Sequence, residues 1–493
     1  MSDGEEQARR ERLAKLRAEG VDPYPARVGS HTRVAELRRL HDAKDAARLD
    51  AEGVRAAVVG RVRARRSFGK LLFLALVEDG APLQLSARKG ETDPATFALL
   101  GALDVGDIVR AEGRLWRTQK GELTVAVERA ELLAKALRPL PEKWHGLSDV
   151  ESRYRQRHLD LLSNERAREI ALLRSRTLRS LRAFLDGRGF LEVETPVLQP
   201  LYGGAAARPF RTHHHVFDQS LYLRISDELY LKRLVIGGLD RVYEIAHNFR
   251  NEGVSHKHSP EFTMLECYQA YADYRDMMEL VAAMLRQAAQ DTLGTLSVPH
   301  GDGAIELGGE WRRITMRDAV RDATGVDILA TPDLAALRGA LSSRGIEPED
   351  APTWALLVDE VFSAKVEPQL VQPTFVTHHP TELSPLAKRS PEDPRVVERF
   401  ELFVAGMEIA NAFSELNDPD DQRVRFEEQR RLSAAGDAEA HPLDEDFLAA
   451  LEHGMPPTGG LGVGVDRLVR VLADVPNLRE VILFPQLRPE PPA

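Results

Sequence analysis

The chain has 493 residues, of which 43% are hydrophobic and 29% charged, and its formal net charge is −11 at pH 7. This composition is typical of a globular protein of more than one domain, and its acidic total disfavours a protein that simply coats nucleic acid. No stretch approaches the ~20 apolar residues of a membrane helix, and the single cysteine, Cys267, excludes an internal disulfide framework and a thiolate-rich zinc site.

The chain starts with alternating acids and bases, MSDGEEQARRERLAKL, and this stretch has no apolar signal core. Residues 5–19 are predicted to form a short charged helix, which ends at Gly20 and the following Pro23 and Pro25. With one cysteine and no targeting segment, we expect a cytoplasmic protein that does not bind membranes.

Short β-type runs separated by turns occupy residues 55 to 135. They read AAVVGRVRARR, KLLFLALVEDG, APLQLSAR, DIVRAEGRLWRT and ELTVAVERAELL. Five such strands predict a small Greek-key barrel of the OB type, a common nucleic-acid binder, although other small barrels share this rhythm. From Arg55 to Lys89, eight basic residues face only two acids. This local excess suits a docking site for nucleic acid, and an ordinary solvated face gives the same charge count.

A linker follows the barrel in ALRPLPEKWHGLSDVESRYRQRHLDLL, where two prolines interrupt the chain before an arginine-rich helical stretch. A domain junction is therefore predicted near residue 145. Beyond it, helices and long alternating strands are interleaved to the C-terminus, and no internal repeat is evident.

The most informative segment runs from residue 241 to 271, RVYEIAHNFRNEGVSHKHSPEFTMLECYQAY, and reads as two strands around a polar loop at about 251–260. Residues two apart share one face of a strand. On this basis one face of the hairpin carries Glu244, Asn248, Arg250, Phe262, Met264, Glu266 and Tyr268. An arginine, an aromatic plate and a carboxylate beside a phenol favour a ligand-binding face over the water-facing side of an amphipathic hairpin.

Three motifs in this sequence resemble those of the class II aminoacyl-tRNA synthetases. NFRNEG followed by HSPEFTMLE is similar to motif 2 in the form of the lysine-specific enzymes. RGFLEVETPVL resembles motif 1, with Pro196 as its proline, and GVGVDRLVRVL resembles motif 3. The motifs occur in the family's order, and the barrel and linker are also similar to the lysyl enzymes, so the resemblance covers essentially the whole chain.

The resemblance implies an α+β protein with an N-terminal OB-fold β-barrel and a class II synthetase catalytic domain on an antiparallel sheet. The expected parts are an N-terminal helical extension at 1–54, an OB-fold anticodon-binding domain at 55–137, a linker at 138–165 and the catalytic domain at 166–493. The implied activity is ATP-dependent ligation of L-lysine to tRNA(Lys) through a lysyl-adenylate. Motif 1 forms a dimer interface in this class, so a homodimer is expected.

Activation must hold two anions together, the lysine carboxylate and the ATP α-phosphate. By resemblance, Arg250 bridges these anions, and a guanidinium suits this because it is a permanently charged planar fork. Phe262 would stack on adenine and Arg467 would cap it from the other side, while Glu252 and His258 would reach the nucleotide from the loop. Arg250, Glu252 and Arg467 form the implied catalytic set.

The resemblance also implies magnesium ligands, Glu408 and Glu415 in MEIANAFSELND, and Glu408 is counted with the ATP-binding residues. Because the two glutamates are seven residues apart, their side chains would point to opposite faces of a flat strand. A bulge or bend is therefore needed for both to point into the site. For scattered acids without the resemblance, surface charge is the simpler interpretation.

The side-chain pocket is expected to select lysine, because an ammonium needs carboxylates and acceptors whereas aspartate needs a basic pocket. The resemblance implies a lysine-binding set of Gly204, Glu228, Glu266, Tyr268, Asn411 and Glu415. The glycines Gly460, Gly462 and Gly464 do not match a dinucleotide fingerprint and instead predict close backbone approach or strand packing.

The barrel, by resemblance, reads the anticodon. Phe73 would stack a base, Gln84 and Glu122 would hydrogen-bond base edges, and Arg65 and Arg66 would meet phosphates or bases. A core position is the alternative for Phe73, and plain surface positions are the alternative for Gln84 and Glu122.

Four positions depart from the family pattern. Ala410 and Ala412 stand where glycines are usual, and their methyl groups would either alter substrate fit or be absorbed by repacking. His247 replaces a common arginine, and Ser259 replaces a usual asparagine.

Three other functions were weighed. Aspartate- or asparagine-specific enzymes share the barrel and motifs but need a different pocket. A lysyltransferase acting on a protein lacks the barrel. A non-enzymatic regulator built on an inactive synthetase predicts loss of Arg250, Glu408, Glu415 or Arg467, and all four are present.

Overall fold

The computed structural model describes residues 3–141, 147, 149–347, 350–434 and 442–489. Its chain divides into two compact units, Met1–Glu165 and Arg166–Ala493. Residues 142–146 and 148 of the predicted linker lie outside the described ranges. Among the helices within those ranges, none combines the length and apolar character needed to cross a membrane.

The first unit is built on a closed five-stranded barrel, which confirms the OB-type prediction. Its strands are β1 (Arg55–Phe68), β2 (Leu71–Glu78), β3 (Ala81–Arg88), β4 (Ile108–Arg117) and β5 (Leu123–Ala134), in the order β1-β2-β3-β5-β4. Its helices are α1 (Asp3–Ala18), α2 (Val34–His41), α3 (Ala46–Glu52), α4 (Pro94–Ala102), α5 (Val150–Arg155) and α6 (Arg157–Ser163).

Apolar and polar side chains alternate along the strands, and the apolar side chains fill the interior of the barrel. Leu72, Leu74 and Leu76 of β2 point inward and are buried, whereas Phe73 between them faces outward and is half-buried. Leu49 of α3 joins the same core, so the N-terminal helical segment packs on the barrel. Each fully buried leucine contributes roughly 1.5–3 kcal/mol.

The second unit carries the remaining elements. Its strands are β6 (Leu191–Glu192), β7 (Leu198–Gln199), β8 (Arg211–His214), β9 (Gln219–Leu223), β10 (Arg241–Phe249), β11 (Glu261–Ala270), β12 (Ser297–His300), β13 (Gly303–Glu306), β14 (Arg312–Thr315), β15 (Thr374–Thr377), β16 (Arg399–Val404), β17 (Met407–Ser414) and β18 (Thr458–Gly464). Its helices are α7 (Glu165–Asp186), α8 (Glu228–Ile236), α9 (Tyr274–Leu293), α10 (Met316–Thr324), α11 (Leu334–Ser342), α12 (Trp354–Lys365), α13 (Pro419–Ala434), α14 (Glu445–Leu451), α15 (Val465–Ala473) and α16 (Leu478–Val481). Short 3₁₀ turns occur at Ile328–Ala330, Glu367–Gln369 and Thr381–Leu383.

An eight-stranded sheet organises this unit, in the order β14-β15-β16-β17-β18-β11-β10-β6. The pairings from β15 to β10 are antiparallel, as predicted, but the outermost strands β14 and β6 each run parallel to their neighbour. The sheet is therefore mixed, with an antiparallel centre. A smaller three-stranded sheet, β7-β9-β8, and the hairpin β12-β13 lie apart from it.

The two faces of the central strands differ in character: one face is apolar and the other is polar. Tyr243, Leu265 and Cys267 are fully buried and pack in the main core with Met277 of α9. Because alternate residues of a strand point oppositely, the intervening residues of β10 and β11 face the other side. That side is polar, and it forms the floor of a cavity.

Candidate active site

A cavity of about 1090 Å³ lies over the polar face of the central sheet. All twelve residues that were predicted for ATP, lysine or metal binding line it. They are Gly204, Glu228, Arg250, Glu252, His258, Phe262, Glu266, Tyr268, Glu408, Asn411, Glu415 and Arg467. Residues separated by more than 260 positions in the sequence therefore meet in one cavity.

Arg250 lies at one end of the cavity, at the residue after β10. Its guanidinium carbon is 5.1 Å from the centre of the Phe262 ring, and its buried Nε has no hydrogen-bond partner among the described residues. Burial lowers the pKa of Arg250, with Glu252 and Glu408 opposing that effect. A half-buried cation that lines a cavity and has a donor atom without a partner among the described residues favours binding of an anion.

Arg467 and Glu408 are joined across the same end. Nη1 of Arg467 donates to the Glu408 backbone oxygen and to its Oε2, both at 2.8 Å. Burial would raise the pKa of Glu408, but Arg467 outweighs it, and the net shift is downward. His258 lies nearby with Nδ1 3.2 Å from the Ser255 hydroxyl, and burial and Arg467 lower its pKa.

The bulge that the spacing of Glu408 and Glu415 required is present in β17. Glu408 pairs with Phe403 while Ala410 pairs with Leu402, so Ile409 is an extra residue in the strand. Because of this extra residue, the Glu408 side chain points to the same face of β17 as Asn411 and Phe413, which are half-buried on the cavity face.

The two predicted metal ligands nevertheless lie in different surroundings. Glu415 forms an ion pair with the buried Lys232. Burial nevertheless raises the pKa of Glu415 well above its usual range, with Lys232 opposing that rise and Glu228 adding to it. Glu408 instead lies near Glu401 on the neighbouring strand β16. Burial raises the pKa of Glu401 to about 8, Arg399 opposes that rise and Glu408 adds to it. The structure thus brings Glu408 close to Glu401, a residue that was not predicted from the sequence.

The donor set around Glu401 and Glu408 fits a hard divalent cation only in part. Two mutually repelling carboxylates suit Mg²⁺. Within the described ranges, however, no group of three or more His, Cys, Asp or Glu side chains could hold a metal ion alone. Substrate oxygens would have to supply the remaining ligands.

A buried lysine organises the other end of the cavity. Lys232 of α8 is fully buried, and its Nζ lies 2.5 Å from Glu228 Oε1 and also contacts Glu415. Burial opposes the charge on Lys232, but the two glutamates outweigh it and raise its pKa. Lys232 was not predicted, although a lysine four residues after Glu228 on a helix is a recognisable ion-pair spacing.

Glu266 and Tyr268 are buried beside these groups, as neighbours on one face of β11. Glu266 accepts hydrogen bonds from the Ser226 hydroxyl at 2.8 Å and from the Tyr268 hydroxyl at 3.3 Å. Burial raises the pKa of Glu266 well above its usual range, with the nearby Asp227 as the next cause. This end of the cavity is therefore strongly acidic.

Two glycines are required by close contacts at this end. Gly204 has a φ of +86°, and a Cβ there would lie 2.8 Å from the Ser226 hydroxyl oxygen. A Cβ on Gly460 would collide with the Glu415 carboxylate and would lie 2.6 Å from the Tyr268 ring. The contacts of Gly460 agree with the prediction that glycine there allows close approach, rather than phosphate binding by a dinucleotide motif.

Of the four departures from the family pattern, Ser259 and Ala410 are among the residues that line the cavity, whereas Ala412 and His247 are not. Ala410 and Ala412 are 2% and 0% exposed and pack in the main core, on the face of β17 opposite to Asn411. Their methyl groups are therefore absorbed by the core. His247 is exposed and its Nδ1 lies 3.3 Å from Glu261.

On the barrel, the predicted anticodon residues lie on or near its outer face. Phe73 meets the exposed Phe68 ring edge-on at 6.4 Å, and Phe68 was not predicted. Gln84 donates to Thr124 at 3.0 Å, and Arg65 is bonded to the Gly101 carbonyl. Arg66 pairs with Phe73 across β1 and β2, and Glu122 directly precedes β5.

Comparison with family models supports this architecture. Residues 149–488 match the model for class II tRNA synthetases of the D, K and N group. Residues 56–133 match the model for the OB-fold nucleic acid binding domain.

Similar curated proteins span nearly the whole chain. The lysine–tRNA ligase of Roseiflexus castenholzii is 52% identical over 486 residues, covering 98% of each chain. That of Chloroflexus aurantiacus is 53% identical, covering 97% of this chain and 96% of the relative, and that of Carboxydothermus hydrogenoformans is 49% identical. On the motifs, the fold, the cavity and these similarities, the chain belongs to the lysine–tRNA ligase family of class II tRNA synthetases.

Proposed function

We propose that the chain joins L-lysine to tRNA(Lys) in an ATP-dependent reaction that passes through a lysyl-adenylate. One observation carries this proposal: a single cavity holds Arg250, whose Nε has no hydrogen-bond partner among the described residues, beside Phe262 at one end and the buried acids Glu228, Glu266 and Glu415 at the other. An anionic nucleotide and an amino acid with two ammonium groups have charges complementary to these two ends.

The ATP end would be formed by Arg250, Glu252, His258, Phe262 and Arg467. Phe262 offers a flat ring for adenine, and Arg467, held by Glu408, would cover the opposite side. Arg250 would bridge the α-phosphate and the lysine carboxylate, which brings the reacting anions together and neutralises charge at phosphorus.

The lysine end would use the acids of α8, β11 and β17. Glu228 would bind the α-amino group, while Glu266 and Tyr268 would hold the ε-ammonium and Glu415 would add a further carboxylate. Gly204 leaves room along the wall, and Asn411, whose Oδ1 accepts from Arg399 Nε at 3.0 Å, completes the set. Aspartate or asparagine would meet repulsion or unpaired charge here, which argues against those alternatives.

Magnesium is proposed to bind at Glu408, with Glu401 as its partner and ATP oxygens completing the coordination. When bound, it would reduce the negative charge of the phosphates. Glu415 lies among Lys232, Glu228 and Glu266, so its proposed task is lysine binding rather than metal binding.

The reaction itself needs no protein nucleophile. A lysine carboxylate oxygen attacks the α-phosphorus in line, forming the new P–O bond as the bond to pyrophosphate breaks. The tRNA 3′-terminal hydroxyl then attacks the adenylate carbonyl, and AMP leaves. Arg250 and Arg467 act by positioning and charge stabilisation.

The barrel is proposed to bind the anticodon through Phe73, Gln84, Glu122, Arg65 and Arg66. Stacking on an aromatic ring and basic residues along the backbone are the usual means of holding single-stranded bases. A lysyltransferase that acts on a protein would have no use for this surface.

A homodimer in the cytoplasm is proposed as the working form. Three apolar side chains of the motif 1 region are exposed, Leu191 by 51%, Val197 by 39% and Leu198 by 48%. A second copy covering them would remove this apolar surface from water. Replacing Leu198 with aspartate should shift the mass measured by light scattering from dimer to monomer.

Amino-acid-dependent ATP–pyrophosphate exchange tests the proposed reaction. Purified protein should give a signal with lysine alone among the proteinogenic amino acids, and lysine should then be transferred to tRNA(Lys). A signal with aspartate or asparagine would contradict the assignment of the acidic pocket. Exchange without transfer to tRNA would favour a protein acceptor.

A further inference from the structure

Asp227 is a fully buried acid to which the proposed reaction gives no task. It occupies the N-cap position of α8, where an aspartate ordinarily accepts a hydrogen bond from a helix N–H. Here its side chain makes no capping bond, and the Ser226 hydroxyl instead accepts from the Glu228 N–H at 3.1 Å. The carboxyl group of Asp227 therefore does not cap α8 and is free to interact with other side chains.

Asp227 is not among the residues that line the cavity, whereas Glu266 is. Oδ1 of Asp227 accepts from Asn248 Nδ2 at 3.2 Å, and its Oδ2 has no hydrogen-bond partner among the described residues. Asp227 is 0% and Glu266 3% exposed, and their side chains interact directly. Two acids in contact with each other and shielded from water cannot both carry charge cheaply.

The nearest buried cations are already engaged elsewhere. Arg224 pairs with Glu244 at 2.6 Å, and Lys232 pairs with Glu228 and Glu415. Arg224 still lowers the pKa of Asp227, and Arg250 interacts with Glu266, but burial outweighs these cations. Burial raises the pKa of Asp227 to about 6, and it raises the pKa of Glu266 well above its usual range. A shared proton would reduce the remaining negative charge of this pair.

We propose that Asp227 is a positioning residue that acts through Glu266: the two carboxyl groups share one proton while the pocket is empty, and the pair releases it when a lysine ammonium binds. This inference rests on the proposed function, because it takes lysine as the ligand. The incoming cation stabilises the ionised form of Glu266, and the proton passes to solvent. Lysine affinity should therefore rise with pH.

The charged and titratable groups that face this pair come from every element around it. They are Glu244 from β10, Arg250 directly after β10, Arg224 from the segment after β9, Glu228 and Lys232 from α8, Cys267 and Tyr268 from β11, and Glu415 after β17. Burial also raises the pKa of Glu228 and of Glu415, so a variant at Asp227 is needed to separate the proton of the Asp227–Glu266 pair from theirs.

Calorimetric titration of the full-length chain with L-lysine tests this, in phosphate, imidazole and Tris buffers at pH 7. The dependence of the binding heat on buffer ionisation enthalpy gives the number of protons released, which should be about one per lysine. A heat independent of the buffer would overturn proton sharing alone. An absence of lysine binding in every buffer would overturn the proposed function as well.

Asp227→Asn provides the matched variant. Its amide can donate to Glu266 without a titrating proton, so proton release should fall by about one relative to the native chain. Protons lost from lysine itself are common to both and cancel in this difference. In ATP–pyrophosphate exchange, the KM for lysine should fall as pH rises from about 6 to 8 in the native chain and stay flat in the variant. An unchanged slope in the variant would contradict the proposal, since a purely structural role would shift KM equally at every pH.

Discussion

Lys232 and Glu415 form an ion pair in which neither side chain is exposed to solvent. The same ammonium also reaches Glu228, one turn away on α8. Removing one member of such a group leaves the others buried and uncompensated, which typically costs about 3–5 kcal/mol. This loss of stability arises because a buried charge is left without its partner, and it does not measure the strength of the ion pair.

Lys232→Met should therefore lower the free energy of unfolding by about 3–5 kcal/mol, measured by chemical denaturation. Lys15→Met is the control, because Lys15 and Glu19 form an exposed pair at the same helical spacing and should contribute below about 0.5 kcal/mol. Adding Glu415→Gln to Lys232→Met should restore part of the loss. Equal effects of the two lysine substitutions would contradict the buried-charge argument.

Arg250→Ala should lower the rate of lysine-dependent ATP–pyrophosphate exchange by about 10²–10³-fold, because it removes the charge that bridges the two reacting anions. Arg313→Ala, at an exposed arginine paired with Glu279, is the matched control and should leave the rate unchanged. Near-normal exchange by Arg250→Ala would refute the assignment. Circular dichroism should show that both variants remain folded.

Glu266→Gln should raise the KM for lysine by about 10- to 150-fold while the KM for ATP stays nearly constant, because it removes a counter-charge worth about 1.5–3 kcal/mol. Exchange kinetics with each substrate varied in turn measure both constants. Equal losses for lysine and ATP would show that Glu266 supports the cavity as a whole. Glu261→Gln, on the exposed start of β11, is the control.

Much of this architecture could be predicted from residue patterns. Strand alternation placed Glu266 with Tyr268 on one face of the hairpin, because side-chain direction in a strand is a local property. Phe73 was expected at the anticodon surface only by resemblance, with a core position as the alternative, and it lies half-buried on the outer face of the barrel. The spacing of Glu408 and Glu415 also predicted a bulge, and Ile409 supplies it.

What could not be predicted depends on contacts between distant segments. Glu401 becomes the neighbour of Glu408 only through the register of β16 and β17, and Asp227 meets Glu266 only where α8 packs on β11. The doubt about Ala410 and Ala412 was resolved in the same way. Their direction depends on the bulge, which turns both methyl groups into the core.

The different surroundings of Glu401, Glu408 and Glu415 predict separable defects. Glu401→Gln and Glu408→Gln should raise the magnesium concentration needed for half-maximal exchange severalfold, because each removes a hard-oxygen ligand. Glu415→Gln should instead raise the KM for lysine with little change in magnesium dependence, since its carboxylate faces Lys232 and Glu228. Titrating MgCl₂ at saturating lysine, and lysine at saturating MgCl₂, separates the two effects. A magnesium defect in Glu415→Gln would restore that residue as a metal ligand.

Phe73→Ala should weaken aminoacylation without affecting activation. Stacking of one base on an aromatic ring is worth about 1–3 kcal/mol, so the KM for tRNA should rise about 5- to 150-fold. ATP–pyrophosphate exchange, which requires no tRNA, should stay at the native rate in the same preparation. Tyr24→Ala, at an aromatic residue of the first unit that is 44% exposed and outside the predicted surface, is the matched control and should change neither activity. If Phe73→Ala kept the native KM for tRNA, the half-buried ring would serve only to pack against Phe68, and the anticodon would have to be bound elsewhere.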